Sequence, residues 1–444
     1  MQFIWQKFAP LSQTAVRASF SAKPVLPYGI PSHMSAWQCL NFVSSNTEDL
    51  TRELKYTTTR LVPTLTRPDQ VLIKVDLATL NPVDLLSLRG YGSSAYWYAQ
   101  KFGSSFGLLG FADRNATIGS CDSAFPLTPG RDFVGTVVDM GPSVHGDPNN
   151  RLTIGQMVAG ATWPFLSAVG SGSLADYIVC PSGYLAALPE NLDPFEAAAV
   201  GYAGLTAWSA LVSGGLSPRS ESLSNSKFSD VPLVLVAGAT GGVGIIAAQL
   251  AKLWGSRVHV ICRDDDRSLQ MMTEMGVDEV IVHPDKPGLD VRYDVIIDCI
   301  RPPELSNLDR GMDLIGSAYP RLPRFFDYLK LGSKSRYVSV NPPLLHMMDK
   351  LGVLVGGGVA AANLLGSQLL ACNFCRDFNR GQVRWAFFQP DAKRLTYMLK
   401  RLSEGRMKVF VDSTYSFSHT PEAFTRLQAR GTRGKVIVHV SDKS

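Results

Sequence analysis

The sequence predicts an α/β protein of two folded units, a β-rich domain followed by a doubly wound parallel sheet, and three observations carry that prediction. A buried-strand run, Val231 to Ala237, leads into the turn Gly238-Ala239-Thr240-Gly241-Gly242-Val243-Gly244 and then an amphipathic helix to Trp254. Strand-like and helix-like segments alternate after it, the pattern of a parallel sheet with crossover helices on both faces. Upstream, short apolar runs are separated by Gly, Pro and Asn clusters, as in an irregular barrel or partly open sheet. The length of 444 residues also exceeds what one core usually fills.

The elements follow in chain order. No Asp or Glu precedes Glu48, while Lys7, Arg17 and Lys23 lie among Ser, Thr, Ala and scattered Phe and Leu. A basic, acid-free, amphipathic leader of this kind reads as a mitochondrial transit peptide, with a plain disordered tail as the alternative. Pro24, Pro27 and Pro31 interrupt any helix, so folded structure is expected to start near Met34. Strands are expected at Val71 to Leu80, Phe133 to Met140, Met157 to Ala161 and Leu174 to Val179, with Asn81-Pro82-Val83-Asp84 closing the first by turn chemistry. An Ala-rich helix runs from Pro194 to Leu211, and the polar segment Ser213 to Asp230 reads as a surface loop.

Beyond the glycine turn, strands are expected at Val258 to Cys262, Val280 to His283 and Tyr293 to Cys299, with a helix around Ser268 to Met275. Past Asp391 come a helix, a strand near Val409 to Val411, a helix near Pro421 to Leu427 and a last strand at Lys435 to Val440. The uncharged stretch Leu351 to Ala371 is long enough for a membrane span. Gly356, Gly357 and Gly358 with Asn363, Ser367 and Gln368 favour instead a buried strand-and-helix segment.

Composition narrows the function classes. With 45% hydrophobic and 18% charged residues, the chain is not a disordered protein. Its 43 basic and 38 acidic residues are too balanced and dispersed for a nucleic-acid-binding stripe, so no nucleic acid is expected as partner. Seven cysteines, among them Cys262 and Cys299 in strand-like runs, suit a reducing compartment rather than a disulfide framework. The one Cys-x-x-Cys, Cys372 with Cys375, has no second pair and is read as packing. Gly103-Ser104-Ser105-Phe106-Gly107 matches a hydrolase nucleophile elbow, but no buried strand leads into it and no helix follows.

The glycine turn carries the chemistry. Gly241 is expected to permit the tight turn, Gly242 to let a pyrophosphate approach the backbone, and Gly244 to let the helix pack against the strand. The free N–H groups at the start of that helix favour a phosphate anion. Where an NAD site places an acid after the second strand, this chain has Arg263, suited to a 2′-phosphate, so NADPH is the expected cofactor. Asp264, Asp265 and Asp266 keep the alternative open: if Asp264 faces the ribose, NADH is favoured.

Several motifs in one order then resemble a known family. They are Asn81-Pro82-Val83-Asp84, Arg89-Gly90-Tyr91-Gly92, Gly130-Arg131-Asp132-Phe133-Val134-Gly135, Leu205-Thr206-Ala207-Trp208-Ser209-Ala210, the glycine turn, Arg384-Trp385-Ala386-Phe387-Phe388 and Arg433-Gly434-Lys435. Together they are similar to the zinc-independent quinone-oxidoreductase branch of the medium-chain dehydrogenase/reductases. The resemblance implies a GroES-like catalytic domain clasping a Rossmann domain, with the cleft between them. It implies a leader over 1–33, a catalytic part over 34–205, the NADP(H)-binding domain over 206–390 and a return to the catalytic domain over 391–444. By carry-over, Thr240, Gly242 and Val243 hold the pyrophosphate, Arg263 the adenosine phosphate and His283 the adenosine side. Val340, Ala386 and Phe388 lie along the nicotinamide half, and Gly431, Thr432 and Arg433 reach back from the carboxyl terminus. The loop from Ser93 to Pro129 and the segment from Pro302 to Ser335 look expanded relative to the family.

The zinc-ligand positions of metal-dependent relatives here carry Asn81 and Arg131, so no metal is expected. The expected reaction is hydride transfer from NADPH to a quinone-like or conjugated carbonyl acceptor, with hydrogen bonds stabilising the developing oxyanion. Asn81 and Tyr91 are the candidates for holding that oxygen; alternatively Asn81 caps the turn and Tyr91 is a packed loop aromatic. Arg131 and Asp132 are expected to form an ion pair with each other. The resemblance further implies a mitochondrial matrix location, a role in ubiquinone biosynthesis, a peripheral membrane or reticulon-type protein partner and a homodimer. A 2-enoyl thioester reductase and a nucleotide-binding scaffold without catalysis are the competing readings.

Overall fold

The computed structural model describes residues 29–43, 50–94, 125–145, 152–163, 172–218, 231–282, 291–300, 325–330, 335–374, 382–429 and 431–443. Residues 1–28 of the leader, the segment 103–107, His283, Cys375 and most of the two expanded loops lie outside them.

Strands β1 (His33–Cys39) and β2 (Leu54–Leu61) form an antiparallel ribbon. The indole N–H of Trp37 in β1 donates to the Phe417 carbonyl at 2.7 Å, tying the amino end of the fold to its carboxyl end. The larger β-rich sheet is organised on β3 (Gln70–Leu80), whose run QVLIKVDLATL is mostly buried on both faces, hence its near-continuous apolar sequence. Its neighbour on one side is β4 (Asp132–Met140), followed outward by β5 (Met157–Ala161). On its other side β6 (Tyr177–Pro181) pairs with residues 70–74 of β3. The short β7 (Leu185–Ala187) extends the sheet from β5.

The second sheet has six strands: β8 (Leu233–Ala237), β9 (Arg257–Ile261), β10 (Glu279–Ile281), β11 (Val295–Asp298), β12 (Arg336–Ser339) and β13 (Gln382–Trp385). All pairs are parallel, in the order β10-β9-β8-β11-β12-β13. The winding direction reverses between β8 and β11, and in such sheets the crevice at the carboxyl ends of the strands flanking that reversal is where ligands bind. The chain then returns to the first sheet: β14 (Val411–Ser416) pairs with β15 (Lys435–His439), and β15 takes residues 77–80 of β3, the half that β6 leaves open.

The helices that frame the two sheets follow in chain order. They are α1 (Pro82–Leu88), α2 (Pro194–Ala198), α3 (Gly201–Ser213), α4 (Gly242–Leu253), α5 (Asp266–Glu274), α6 (Leu344–Leu351), α7 (Val353–Phe374), α8 (Ala392–Ser403) and α9 (Thr420–Gln428). Trp208 of α3 meets Trp254 edge-on at 4.8 Å and Tyr397 of α8 at 5.2 Å, joining three helices in the largest core cluster. The helix expected from Pro194 to Leu211 is two, α2 and α3. The Tyr202 N–H, which in one continuous helix would bond the Ala198 carbonyl, donates to Asp132 instead.

The segment Leu351 to Ala371 also departs from expectation. It is no buried strand and helix; α7 runs through it as one helix, hinged to α6 at Gly352 with φ +78°. Gly356 lets α7 cross α6, because a Cβ there would lie 2.2 Å from the Met347 carbonyl oxygen. Its outward side is apolar and solvent-facing, with Leu354 82% and Leu365 66% exposed beside Val355 and Leu369. Among the described residues no helix is long and apolar enough to cross a membrane. Cys39, Cys180, Cys262 and Cys299 are free thiols, and burial pushes Cys262 up to about 11.

Candidate active site

At the end of β8 the backbone turns at Gly238, whose φ of +82° is the left-handed conformation that favours glycine. The tight turn therefore belongs to Gly238 and not to Gly241, whose φ of −83° any residue can adopt. Gly241 is the N-cap of α4 and supplies no side-chain cap, so the first N–H groups of the helix keep their affinity for an anion. Gly244 cannot be replaced without movement: a Cβ there would sit 2.3 Å from the Gly238 carbonyl oxygen. Gly241 is exposed, with Thr240, Gly242 and Val243 half-buried, which leaves the helix entrance open to a pyrophosphate. A dinucleotide fits these residues.

Beside this turn β9 ends at Ile261, and Arg263 stands exposed two residues later. Asp265 is the N-cap of α5, accepting from the Ser268 N–H at 3.0 Å. It also takes the Arg433 guanidinium in a fork, Nε at 3.1 Å and Nη2 at 2.6 Å. Arg433 and Ser268 hold the Asp265 carboxyl well below the usual carboxylate range. The segment Gly431–Gly434 forms a strap across this edge. Gly431 lies against Arg263, since a Cβ there would be 3.0 Å from Nη1, and the Gly434 N–H donates to the Thr240 carbonyl at 3.3 Å. Thr432 lies half-buried in the same strap.

Beneath the phosphate turn lies a buried polar cluster. Lys435, at the first position of β15, donates Nζ to Asn81 Oδ1 at 2.6 Å and to Asp132 Oδ2 at 3.0 Å. Asp132 Oδ2 also accepts from Thr79 Oγ1 at 2.6 Å and Asn81 Nδ2 at 2.9 Å. The Lys435 stem packs under α4, where a Cβ on Gly242 would lie 3.2 Å from its Cδ. Arg131 does not pair with Asp132. It is fully buried, its Nε 3.2 Å from Asp84 Oδ1 and its Nη2 donating to Ser87 Oγ at 2.8 Å. Successive residues entering a strand point to opposite faces, so 131 and 132 each find a partner of their own. Burial pushes the Asp84 carboxyl up, against the pull of Arg131.

The nicotinamide-side candidates follow the carboxyl ends of neighbouring strands. Val340 succeeds β12, donating its N–H to the Asp298 carbonyl at 3.1 Å, and Ala386 succeeds β13, donating to the Ser339 carbonyl at 2.9 Å. Phe388 stacks on Tyr202 with centroids 4.2 Å apart and meets Trp163 edge-on at 5.7 Å. Since the Tyr202 N–H is bonded to Asp132, the buried cluster and this aromatic wall are one structure. Tyr91 lies half-buried in the turn after α1, the helix that Asn81 caps. There Asp349 of α6 accepts the N–H groups of Gly92 at 2.6 Å and Ser94 at 3.0 Å, clamping the turn to the helix pair.

Comparisons with known proteins match the two domains of this fold. The Alcohol dehydrogenase GroES-like domain family matches residues 67–190, and the Zinc-binding dehydrogenase family matches residues 275–438. The chain belongs to the medium-chain dehydrogenase/reductase superfamily. Within this superfamily it is 29% identical over 418 residues to the NAD(P)H oxidoreductase RTN4IP1, mitochondrial, of Drosophila melanogaster, covering 93% of this chain and 87% of that one. To the Homo sapiens protein of the same name it is 28% identical over 390 residues, covering 87% and 86%. The quinone oxidoreductase from Coxiella burnetii has the same fold, with a TM-score of 0.61 at 21% identity over 92% of this chain and 99% of that chain.

Three participants of this medium-chain site were not singled out for it by sequence. Lys435 was visible only as the last letter of a motif, Asp349 lies in a helix with no motif, and Gly238 was passed over for Gly241. For Lys435 a signal existed: a lysine that opens a strand and is followed by three apolar residues, in KVIVH, needs a partner anion if it is buried. Among the described residues no group of three or more His, Cys, Asp and Glu side chains is placed to hold a metal ion.

Proposed function

We propose that this chain is a mitochondrial, NADPH-dependent, zinc-independent oxidoreductase that delivers hydride to a quinone-like or conjugated carbonyl acceptor and supports ubiquinone biosynthesis. The observation that carries the cofactor reading is one edge of the parallel sheet that presents both an uncapped, glycine-opened helix N-terminus and an exposed arginine, Arg263. NADPH when bound supplies the hydride; the protein supplies position, polarity and exclusion of water. Asn81, whose amide is held by Lys435 and Asp132, sets the floor of the cleft, and the Tyr91 hydroxyl is the proposed donor to the acceptor oxygen. Independence of zinc is supported by the donor set, because the Arg131 guanidinium has no lone pair to give and the Asn81 amide is already engaged.

The acceptor class is supported by relatives. A Spinacia oleracea protein, 26% identical over 380 residues, is named Quinone-oxidoreductase homolog, chloroplastic, and a Solanum lycopersicum protein, 28% identical over 293 residues, is named 2-methylene-furan-3-one reductase. Mitochondrial residence rests on the names of the Drosophila and human relatives, and a reticulon-type partner on the Caenorhabditis elegans relative named Reticulon-4-interacting protein 1. The outer edge of β13, last in the parallel sheet, is the proposed homodimer contact. The domain limits we propose are 34–205, 206–390 and 391–444.

The test is coenzyme titration followed by turnover on a panel of quinones, enones and enoyl thioesters. NADPH should bind more tightly than NADH, and Arg263→Ala should shrink the difference. Equal affinities in the unaltered protein would reject the role of Arg263, and turnover of enoyl thioesters alone would reject the quinone reading.

A further inference from the structure

We infer that Arg433 determines coenzyme specificity by masking Asp265, an acid that would otherwise make this an NAD-type ribose site; the inference deepens the NADPH reading and rests on it. In sheets of this kind, the residue that accepts the ribose hydroxyls of NAD is an Asp or Glu about 20 residues beyond the glycine turn. The sequence offers three acids there, Asp264, Asp265 and Asp266, immediately after Arg263. Unmasked, an acid at this place would both attract the hydroxyls of NADH and repel a 2′-phosphate.

The structure gives Asp265 other work. One carboxylate oxygen accepts the Ser268 N–H at 3.0 Å and the other the Ser268 hydroxyl at 2.8 Å, so the carboxylate opens α5. The same two oxygens take Arg433 in a two-point fork, with Nε at 3.1 Å and Nη2 at 2.6 Å. Such forks are strong and directional, and they fix the charge of the acid against one cation. Arg433 in turn is prepositioned: its N–H donates to Asp412 at 2.8 Å and its Nη1 to the Gly431 carbonyl at 3.1 Å. The strap that carries it rests on Arg263 at Gly431 and on the phosphate turn at Gly434. With Asp265 tied to Arg433, Arg263 stands exposed beside it and, among the described residues, makes no ion pair. Pairing Asp265 thereby removes one negative charge from the face where Arg263 would meet a 2′-phosphate.

This role differs from that of a phosphate ligand. If Arg433 simply bound a phosphate common to both coenzymes, its removal would weaken NADPH and NADH alike. If it masks Asp265, removal moves the two in opposite directions. The experiment measures Kd for NADPH and for NADH by calorimetry on the unaltered protein, Arg433→Ala, Arg433→Gln, Asp265→Asn and the double variant Asp265→Asn/Arg433→Ala. Asparagine keeps the helix cap, and the glutamine variant retains bulk in the strap, so either pair tests the idea if one variant folds poorly.

Expected are a loss of about tenfold or more in NADPH affinity for Arg433→Ala together with tighter NADH binding, on the scale of one charge-assisted hydrogen bond. The double variant should regain NADPH affinity relative to Arg433→Ala and lose the gain in NADH. Parallel weakening of both coenzymes in Arg433→Ala overturns the mask, as does a double variant no better for NADPH than the single. The two failures are separable. Equal NADPH and NADH affinities in the unaltered protein reject the Arg263 assignment, whereas the mask is judged by the direction in which NADH moves when Arg433 is removed.

Discussion

Replacing Lys435 by methionine should be among the most damaging single changes to stability, and the structure sets its size. The Lys435 and Asp132 side chains are 6% and 1% exposed, at 3.0 Å, so the pair is no surface bridge of the kind worth about 0–1 kcal/mol. Without the ammonium, Asp132 keeps Thr79, Asn81 and the Tyr202 N–H as donors but has no countercharge within the cluster. Breaking one side of a buried pair costs about 3–5 kcal/mol, whereas replacing both sides by neutral groups of similar volume is often near neutral. Lys435→Met should therefore cost about 3–5 kcal/mol and Lys435→Met/Asp132→Asn much less than the sum of the two singles. Urea denaturation followed by tryptophan fluorescence, completed as a double-mutant cycle, measures both. A Lys435→Met cost of about 1 kcal/mol or less would refute the reasoning, as would additive singles, since either outcome would mean that the pair is solvated or uncoupled.

Other consequences can be checked with the same material. Gly244→Ala should abolish tight coenzyme binding and lower stability, because its Cβ would lie 2.3 Å from the Gly238 oxygen, whereas Gly241→Ala, with its nearest neighbour at 3.5 Å, should keep the fold; calorimetry and thermal melts compare the two. Asp265 has a folded-state carboxyl lowered by Arg433 and Ser268, so its stabilising contribution is present above the unfolded carboxylate range near about pH 4 and is lost as pH falls through the lower folded value. The melting difference between Asp265→Asn and the unaltered protein should therefore shrink as acid is added below about pH 4, and a constant difference would count against the fork. Leu354→Lys with Leu365→Lys, on the exposed side of α7, should change unfolding free energy by less than about 1 kcal/mol in sum while reducing self-association in light scattering.

Much of the fold was legible because burial and handedness leave a local trace. A parallel strand covered on both faces is predominantly apolar, so LVLVA and the less strict RVHVI announce β8 and β9, and a helix that must touch the preceding turn has to carry glycine at Gly244. Strands lacking that trace were missed: β12 and β13 are four residues each, and β13 runs into a motif read for its chemistry. Gly241 was preferred to Gly238 because a glycine pattern does not reveal which member turns left-handed. The apolar stretch of α7 was misread because hydrophobicity reports composition, not whether the fold provides anything to cover an outward face.

The order of motifs along the chain by itself determined the two-sheet architecture, the phosphate turn and the presence of a cation after β9. Which charge neutralises which was decided only by tertiary structure. Arg131 and Asp132 are adjacent in sequence yet bond to Asp84 and Lys435, and Asp265 meets an arginine 168 positions away. A carboxylate selects its partner by proximity in the folded state, and proximity here is created by β15 returning to β3 and laying its preceding strap across the other sheet. Coulomb attraction acts through space over a few ångströms, and chain position constrains it only after the fold has closed.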